Sequence, residues 1–285
     1  MELGNIGAVF RFEWRRSLTV PRLVWWLVLT LFPGLIVLLV RSAPGRELPR
    51  EPWILLLFAL VPMLVCMLGT FLWATPAVSA EIERRSWIYL AIRPRGSTAV
   101  VIGKYLATVT WVLPAALVGL AMAVALVPAG SGSPSDASGG RSNSVSEADS
   151  QAAIAVGVRE AAPAIAALAC LSCPAYAALY LAIGTLFPKR AMAIAVAYTL
   201  IFEFLISTIP AVINSLTVQF RMRTLLVDWT KLPVGDGRNA PLAFVGDGPD
   251  WQHVTILIVY TIGLLLTAVI VVRTSEYSSA DDSGA

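Results

Sequence analysis

"LVWWLVLTLFPGLIVLLV", residues 23 to 40, runs eighteen positions without a charged side chain. The hydrocarbon core of a bilayer is about 30 Å thick, and a helix needs roughly 20 apolar residues to cross it. The whole chain shares this character. Its 285 residues are 57% hydrophobic and only 14% charged, with a mean hydropathy of +0.75, whereas soluble domains carry about a quarter charged residues. No small-residue cleavage site follows the run directly, so it reads as a retained span and not as a signal peptide. Five further runs follow: Trp53 to Trp73, Val100 to Val127, Ala161 to Phe187, Ala191 to Ile213 and Val254 to Val272. Backbone polar groups in lipid must bond within their own segment, so each run is expected to be helical. The predicted fold class is an all-α membrane protein with six transmembrane helices. Trp25, Trp26, Trp53, Trp73 and Trp251 fall near the predicted ends, where amphipathic rings prefer the headgroup level. Pro33, Pro62 and Pro114 lie inside spans, where neighbouring helices or water can satisfy the freed carbonyls.

Lysine and arginine set the orientation. With the N-terminus inside, the inner segments hold 12 Lys/Arg and 7 acidic residues, and the outer ones hold 9 and 10. The excess is concentrated in short inner loops close to span ends, which count most. Both termini are therefore expected in the cytoplasm.

One transmembrane domain, 1–285, is expected, with five segments outside the bilayer core. Residues 1–22 form an interfacial helix: Phe10, Trp14 and Leu18 recur at i, i+4, i+8 while Arg11, Arg15 and Arg16 fall on other faces, and Pro21 marks a break. Residues 77–97 form a cytoplasmic segment. Residues 128–158 form a flexible external loop, since the Ser/Gly-rich stretch 129–151 cannot bury enough surface to offset chain entropy. Residues 215–252 form an external cap, its first half an amphipathic helix on the membrane and its second half carrying "VGDG" twice, a turn signal. A calcium loop would need denser ligands than these aspartates supply. Residues 274–285 are a cytoplasmic tail.

No catalytic constellation is present. The chain has one histidine, His253, so it has no H-E-x-x-H, and His253 beside Trp251 and Gln252 reads as interfacial. "GSTAVVIGKY", residues 96 to 105, is not a phosphate loop: six residues separate the glycines and tyrosine follows the lysine, where a P-loop has four residues and Ser/Thr. Cys66, Cys170 and Cys173 lie inside apolar runs and read as packing residues. No metal site, cofactor site or nucleic-acid-binding feature emerges.

The segment "EIERRSWIYLAIRPRG", residues 81 to 96, is different. Val78 and Ile82, then Ile88 and Ile92, recur at i, i+4, while Glu81, Glu83, Arg84 and Arg85 crowd the first turns. Pro94 and Gly96 stop the pattern. Such a helix can lie on the bilayer, act as a solvated hinge, or fit a groove on a partner protein. Paired acids beside paired arginines suit a specific polar surface better than lipid headgroups, which favour cations alone.

Residues 79 to 107, "SAEIERRSWIYLAIRPRGSTAVVIGKYLA", resemble the intracellular connection between the second and third helices of type-2 ABC exporter permeases. Glu81, Glu83, Arg84, Arg85, Pro94, Gly103 and Lys104 carry the match. "FRFEWRRSLTVPRLVWW", residues 10 to 26, is similar to that family's interfacial elbow helix through Glu13, Arg15 and Arg16. The long Ser/Gly-rich loop after the third span departs from the family pattern. The resemblance implies a multi-pass permease subunit in the cell (cytoplasmic or inner) membrane. It would pair with a second permease copy or paralogue and two separate ATP-binding cassette ATPase subunits. ATP and magnesium would sit on those partners, with no cofactor on this chain. Glu81, Glu83, Arg84, Arg85, Trp87, Arg93 and Arg95 become the partner-coupling candidates.

Glu203 is the one acidic residue inside a predicted span, where a carboxyl is costly and faces protein or water. Thr199 and Ser207 lie four residues to either side, on the same helical face. Three readings stay open for this group: an inter-helix hydrogen bond, a translocation path contacting substrate or cation, and a proton relay. The last supports an alternative function, a proton-coupled secondary transporter. A non-transporting membrane scaffold is the third alternative.

Overall fold

The computed structural model describes residues 2–43, 49–83, 96–127, 143–206, 214, 217–232, 246 and 248–274. Helix α1, Glu2–Ser17, is followed after two residues by α2, Val20–Ser42. Thr19 is extended and Pro21 sits in the first turn of α2, where its missing N–H costs nothing. The break expected at Pro21 therefore falls at Leu18 and Thr19. Helix α3, Arg50–Phe58, passes through a π-helical segment, Ala59–Val65, into α4, Cys66–Glu83. Pro62 lies in that segment, and the wider turn accommodates a residue with no N–H and a bulky ring. Helices α5, Gly96–Leu126, and α6, Asn143–Leu186, follow. After a 3-10 turn, Pro188–Arg190, helix α7, Ala191–Tyr198, continues into a second π-helical segment, Thr199–Leu205. Helices α8, Val218–Thr230, and α9, Asp250–Thr274, complete the described elements.

All regular structure among the described residues is helical. Among the described residues, five stretches are long and apolar enough to cross a membrane: Val20–Ser42, Arg50–Glu81, Thr98–Leu126, Ala153–Leu186 and Asp250–Thr274. The chain is a membrane protein whose described regular structure is helical. Those stretches overlap five of the six predicted spans. Of the remaining one, Ala191 to Ile213, the described part ends at Ile206, and residues 207–213 lie outside the described residues. Helix α6 begins at Asn143, inside the stretch expected as an external loop. Alanine, glutamate and glutamine over 147–162 are good helix formers.

Helices α4 and α6 form the centre of the bundle. Tyr176, Tyr180, Ile165 and Leu168 of α6 are fully buried there, as are Ile54 and Leu57 of α3, which packs on α6. A Cβ on Gly184 of α6 would stand 2.5 Å from the Thr75 carbonyl oxygen of α4, so the two backbones touch through that glycine. Gly184→Val is expected to force the helices apart and cost about 1–3 kcal/mol. The control is Gly263→Val in α9, where nothing lies within 4 Å and an effect under about 0.5 kcal/mol is expected. Unfolding titrations in detergent read both. Helices α2 and α9 leave Leu31, Leu35, Leu39, Ile262, Leu266 and Ile270 exposed, as side chains facing lipid require.

Helix α8 corrects the expectation of an amphipathic surface helix. Val218, Gln219, Met222, Thr224, Leu225, Leu226, Val227 and Thr230 are buried, and α8 packs on α6 and α9. Its apolar face is matched by protein and not by lipid. His253 is corrected too. It is buried, with Arg221 Nη1 3.0 Å from its Nδ1. The guanidinium can only donate, so Nδ1 accepts and the imidazole proton sits on Nε2.

Candidate functional site

Two polar constellations stand out in this apolar bundle. The first joins α1, α4 and α5. Lys104 Nζ donates to Glu13 Oε1 at 2.7 Å and to Glu81 Oε1 at 2.9 Å. Arg16 Nη1 donates to the same Glu81 oxygen at 3.3 Å and lies 3.8 Å from Glu13 Oε1. The Lys104 side chain is only 4% exposed. The desolvation of this buried side chain is offset by short, charge-assisted bonds to two carboxylates.

Local sequence explains how the helices meet. A Cβ on Gly103 would stand 2.7 Å from Val9 Cγ1, so the glycine lets α1 lie directly against α5. Val9 and Glu13 are one turn apart on α1 and share a face. The contact that admits Val9 therefore delivers Glu13 to Lys104. Trp14 stacks on Trp111 of α5 with ring centroids 4.9 Å apart, and Trp26 of α2 donates its indole N–H to the Trp111 carbonyl at 2.9 Å. The interfacial helix is thus fastened to α5 at three points, through Val9, Glu13 and Trp14.

Glu81 turns inward to this cluster and is buried. Glu83 ends α4. Arg84, Arg85, Trp87, Arg93 and Arg95 lie outside the described residues.

The second constellation centres on Glu203, which has no exposed surface. Its Oε2 accepts from Tyr176 Oη at 3.1 Å and from the Gln219 backbone N–H at 3.3 Å. Gln219 is the second residue of α8, whose N-cap Thr217 accepts from Phe220 N. Glu203 therefore supplies, from another helix, an acceptor for an N-terminal amide that α8 cannot satisfy itself. The carboxylate also faces the positive end of the α8 dipole. One turn earlier, Thr199 Oγ1 donates to the Ala195 carbonyl at 2.8 Å. Its single proton is thereby used, so Tyr180 is the donor in the 2.7 Å Tyr180–Thr199 contact.

The depth of this site follows from counting. Tyr176 lies ten residues from the end of α6 at Leu186, about 15 Å along the axis, or half the thickness of a bilayer core. Helix α8 therefore starts near mid-depth. It runs toward the end of the bundle where Trp229 Nε1 donates to Asp250 Oδ2 at 3.1 Å. At that end burial, and then the neighbouring Asp250 carboxylate, raise the Asp228 pKa.

Thr199 and Glu203 do share a face, which is turned toward Tyr180 and Tyr176 of α6. Ser207 lies outside the described residues. Sequence reasoning passed over Tyr176, Tyr180 and Gln219. Tyr176 and Tyr180 recur at i, i+4 in an apolar span, which was the signal available for the first two. The Gln219 contact is made by its backbone and leaves no trace in residue type. Compared with models of known protein families and with curated protein sequences, the chain matches none.

Proposed function

We propose that the chain is the membrane-spanning permease subunit of an ATP-binding-cassette exporter in the cell membrane. In this reading it crosses the bilayer six times with both termini cytoplasmic. It forms the translocation path with a second permease copy or paralogue and couples to a separate ATPase subunit. The observation that carries the reading is the Glu13–Lys104–Glu81–Arg16 cluster. Glu81 precedes and Lys104 follows the segment 84–95, and both are bonded to α1. A load applied by a partner to that segment would reach α1, α4 and α5 together, as a lever requires. Glu81 then positions the segment from within, and Arg84, Arg85 and Trp87 are left to meet the partner.

Affinity purification from native membranes tests this. Wild type is expected to bring down an ATP-binding subunit. Arg84→Ala with Arg85→Ala and Trp87→Ala is expected to lose at least tenfold of it while the permease itself still folds. Recovery of no ATP-binding subunit with wild type defeats the proposal.

The geometry of Glu203 bears on the proton-coupled alternative. Its bonds to Tyr176 and to the start of α8 favour an anchoring role over a relay. Transport that persists without ATP and vanishes in Glu203→Gln would reverse that preference. ATP-dependent substrate movement in sealed vesicles would exclude a scaffold.

A further inference from the structure

Beside the ion cluster lies a cavity of about 220 Å³ between α1, α2, α4 and α5. It sits where α2 begins, α4 ends and α5 begins. Arg22 belongs to the first turn of the Val20–Ser42 stretch, and Glu81 is the last residue of the Arg50–Glu81 stretch. Three crossings therefore reach one end of the bundle at the cavity, which puts it at headgroup level.

Its walls are dominated by donors. Arg16, Arg22 and Lys104 supply cations, with Arg22 Nη1 donating to Ser17 Oγ at 3.0 Å, Thr108 supplies a hydroxyl, and Trp73 forms a further wall. The two carboxylates present, Glu13 and Glu81, are both held by Lys104. Arg16 reaches them only through Nη1, and no other atom of its guanidinium bonds a described residue. That leaves a planar donor edge able to grip two oxygens at once. The Trp73 indole N–H is buried and has no partner among the described residues. An indole can only donate, so an occupant must bring acceptors. The chain beside the cavity is apolar and open: Leu18 and Val20, next to Ser17, are 53% and 74% exposed.

We infer that this cavity binds the phosphate of an anionic phospholipid, with the open edge of Arg16 on the phosphate oxygens, Arg22 adding positive charge beside them, the Trp73 N–H as a further donor, and the acyl chains along the exposed start of α2. Basic pockets between membrane helices hold anionic headgroups for this electrostatic reason. The apolar rim distinguishes a lipid phosphate from a soluble one, since a free anion gains nothing from Leu18 or Val20. The inference requires only that the chain lies in a membrane and stands apart from the exporter reading.

The test uses the full chain in detergent, titrated with phosphatidylglycerol, with phosphatidylcholine of the same acyl chains, and with inorganic phosphate. Bound lipid is counted by native mass spectrometry. Phosphatidylglycerol is expected to bind at least tenfold tighter than phosphatidylcholine. Trp73→Phe keeps the ring and removes the N–H, and is expected to weaken phosphatidylglycerol about tenfold with phosphatidylcholine binding unchanged. Should Trp73→Phe fail to fold, Arg22→Gln carries the same comparison with the same expected loss. Equal binding of the two lipids, or a folded variant that binds phosphatidylglycerol like wild type, overturns the site. Inorganic phosphate competing as well as the lipid overturns the lipid assignment.

Discussion

Lys104→Met is expected to destabilise the protein by about 3–5 kcal/mol. Methionine matches the length and volume of lysine, so the loss isolates the charge. Without the ammonium, Glu13 and Glu81 lose contacts of 2.7 and 2.9 Å, shorter than the 3.8 and 3.3 Å that separate them from Arg16. Two carboxylates that shared one cation then face each other in a poorly hydrated site. Adding Glu13→Gln and Glu81→Gln to Lys104→Met is expected to restore most of the stability, because removing a buried ionic group as a whole costs far less than removing one member. Thermal unfolding in detergent reads both variants. A Lys104→Met protein within about 0.5 kcal/mol of wild type would mean that the cluster holds nothing together.

Glu203→Ala is the second large effect. The Tyr176 hydroxyl and the Gln219 amide both lose their acceptor inside a bundle with no exposed surface at that point. Each orphaned donor costs about 1–3 kcal/mol, so a total of roughly 2–5 kcal/mol is expected. Glu203→Gln keeps a carbonyl oxygen on the same stem and should lose about 1 kcal/mol. Tyr176→Phe in the Glu203→Ala background should then recover part of the loss, since the hydroxyl that lacked an acceptor is gone; the double-mutant cycle measures this coupling. Hydrogen exchange separates anchoring from a global effect. Amides in the first turn of α8 should exchange faster in Glu203→Ala, with the centre of α6 protected. Uniform loss of protection across the bundle would argue against a capping role.

How far the sequence alone could be read depends on what each feature is made of. Five of the six spans were legible because lipid demands continuous apolar helix, and residues 23–40 carry that demand in eighteen consecutive positions. Glu203 was legible as an exception for the same reason. Its partners were not: Tyr176 is 27 positions away and the Gln219 contact is a backbone amide. The Lys104 cluster joins residues 91 and 23 positions apart, beyond what helical periodicity can report. Helix α8 misled the reading because amphipathicity states that one face is apolar without saying whether lipid or protein covers it. His253 misled it in a similar way, since neighbours in sequence suggested a surface that α8 in fact occupies.

The bond between Glu13 and Lys104 also sets an order of events in biogenesis. Residues 14 to 103 must be made before Lys104 exists, and at about 5–20 residues per second that takes on the order of ten seconds. During this interval α1 has neither its lysine nor Trp111 to rest on. Its Glu13 and Arg16, one turn apart, have only each other and water. The newborn N-terminus must wait at the membrane surface until the third crossing arrives to dock it, so a defect at Gly103 or Lys104 would strike during insertion as well as in the finished protein.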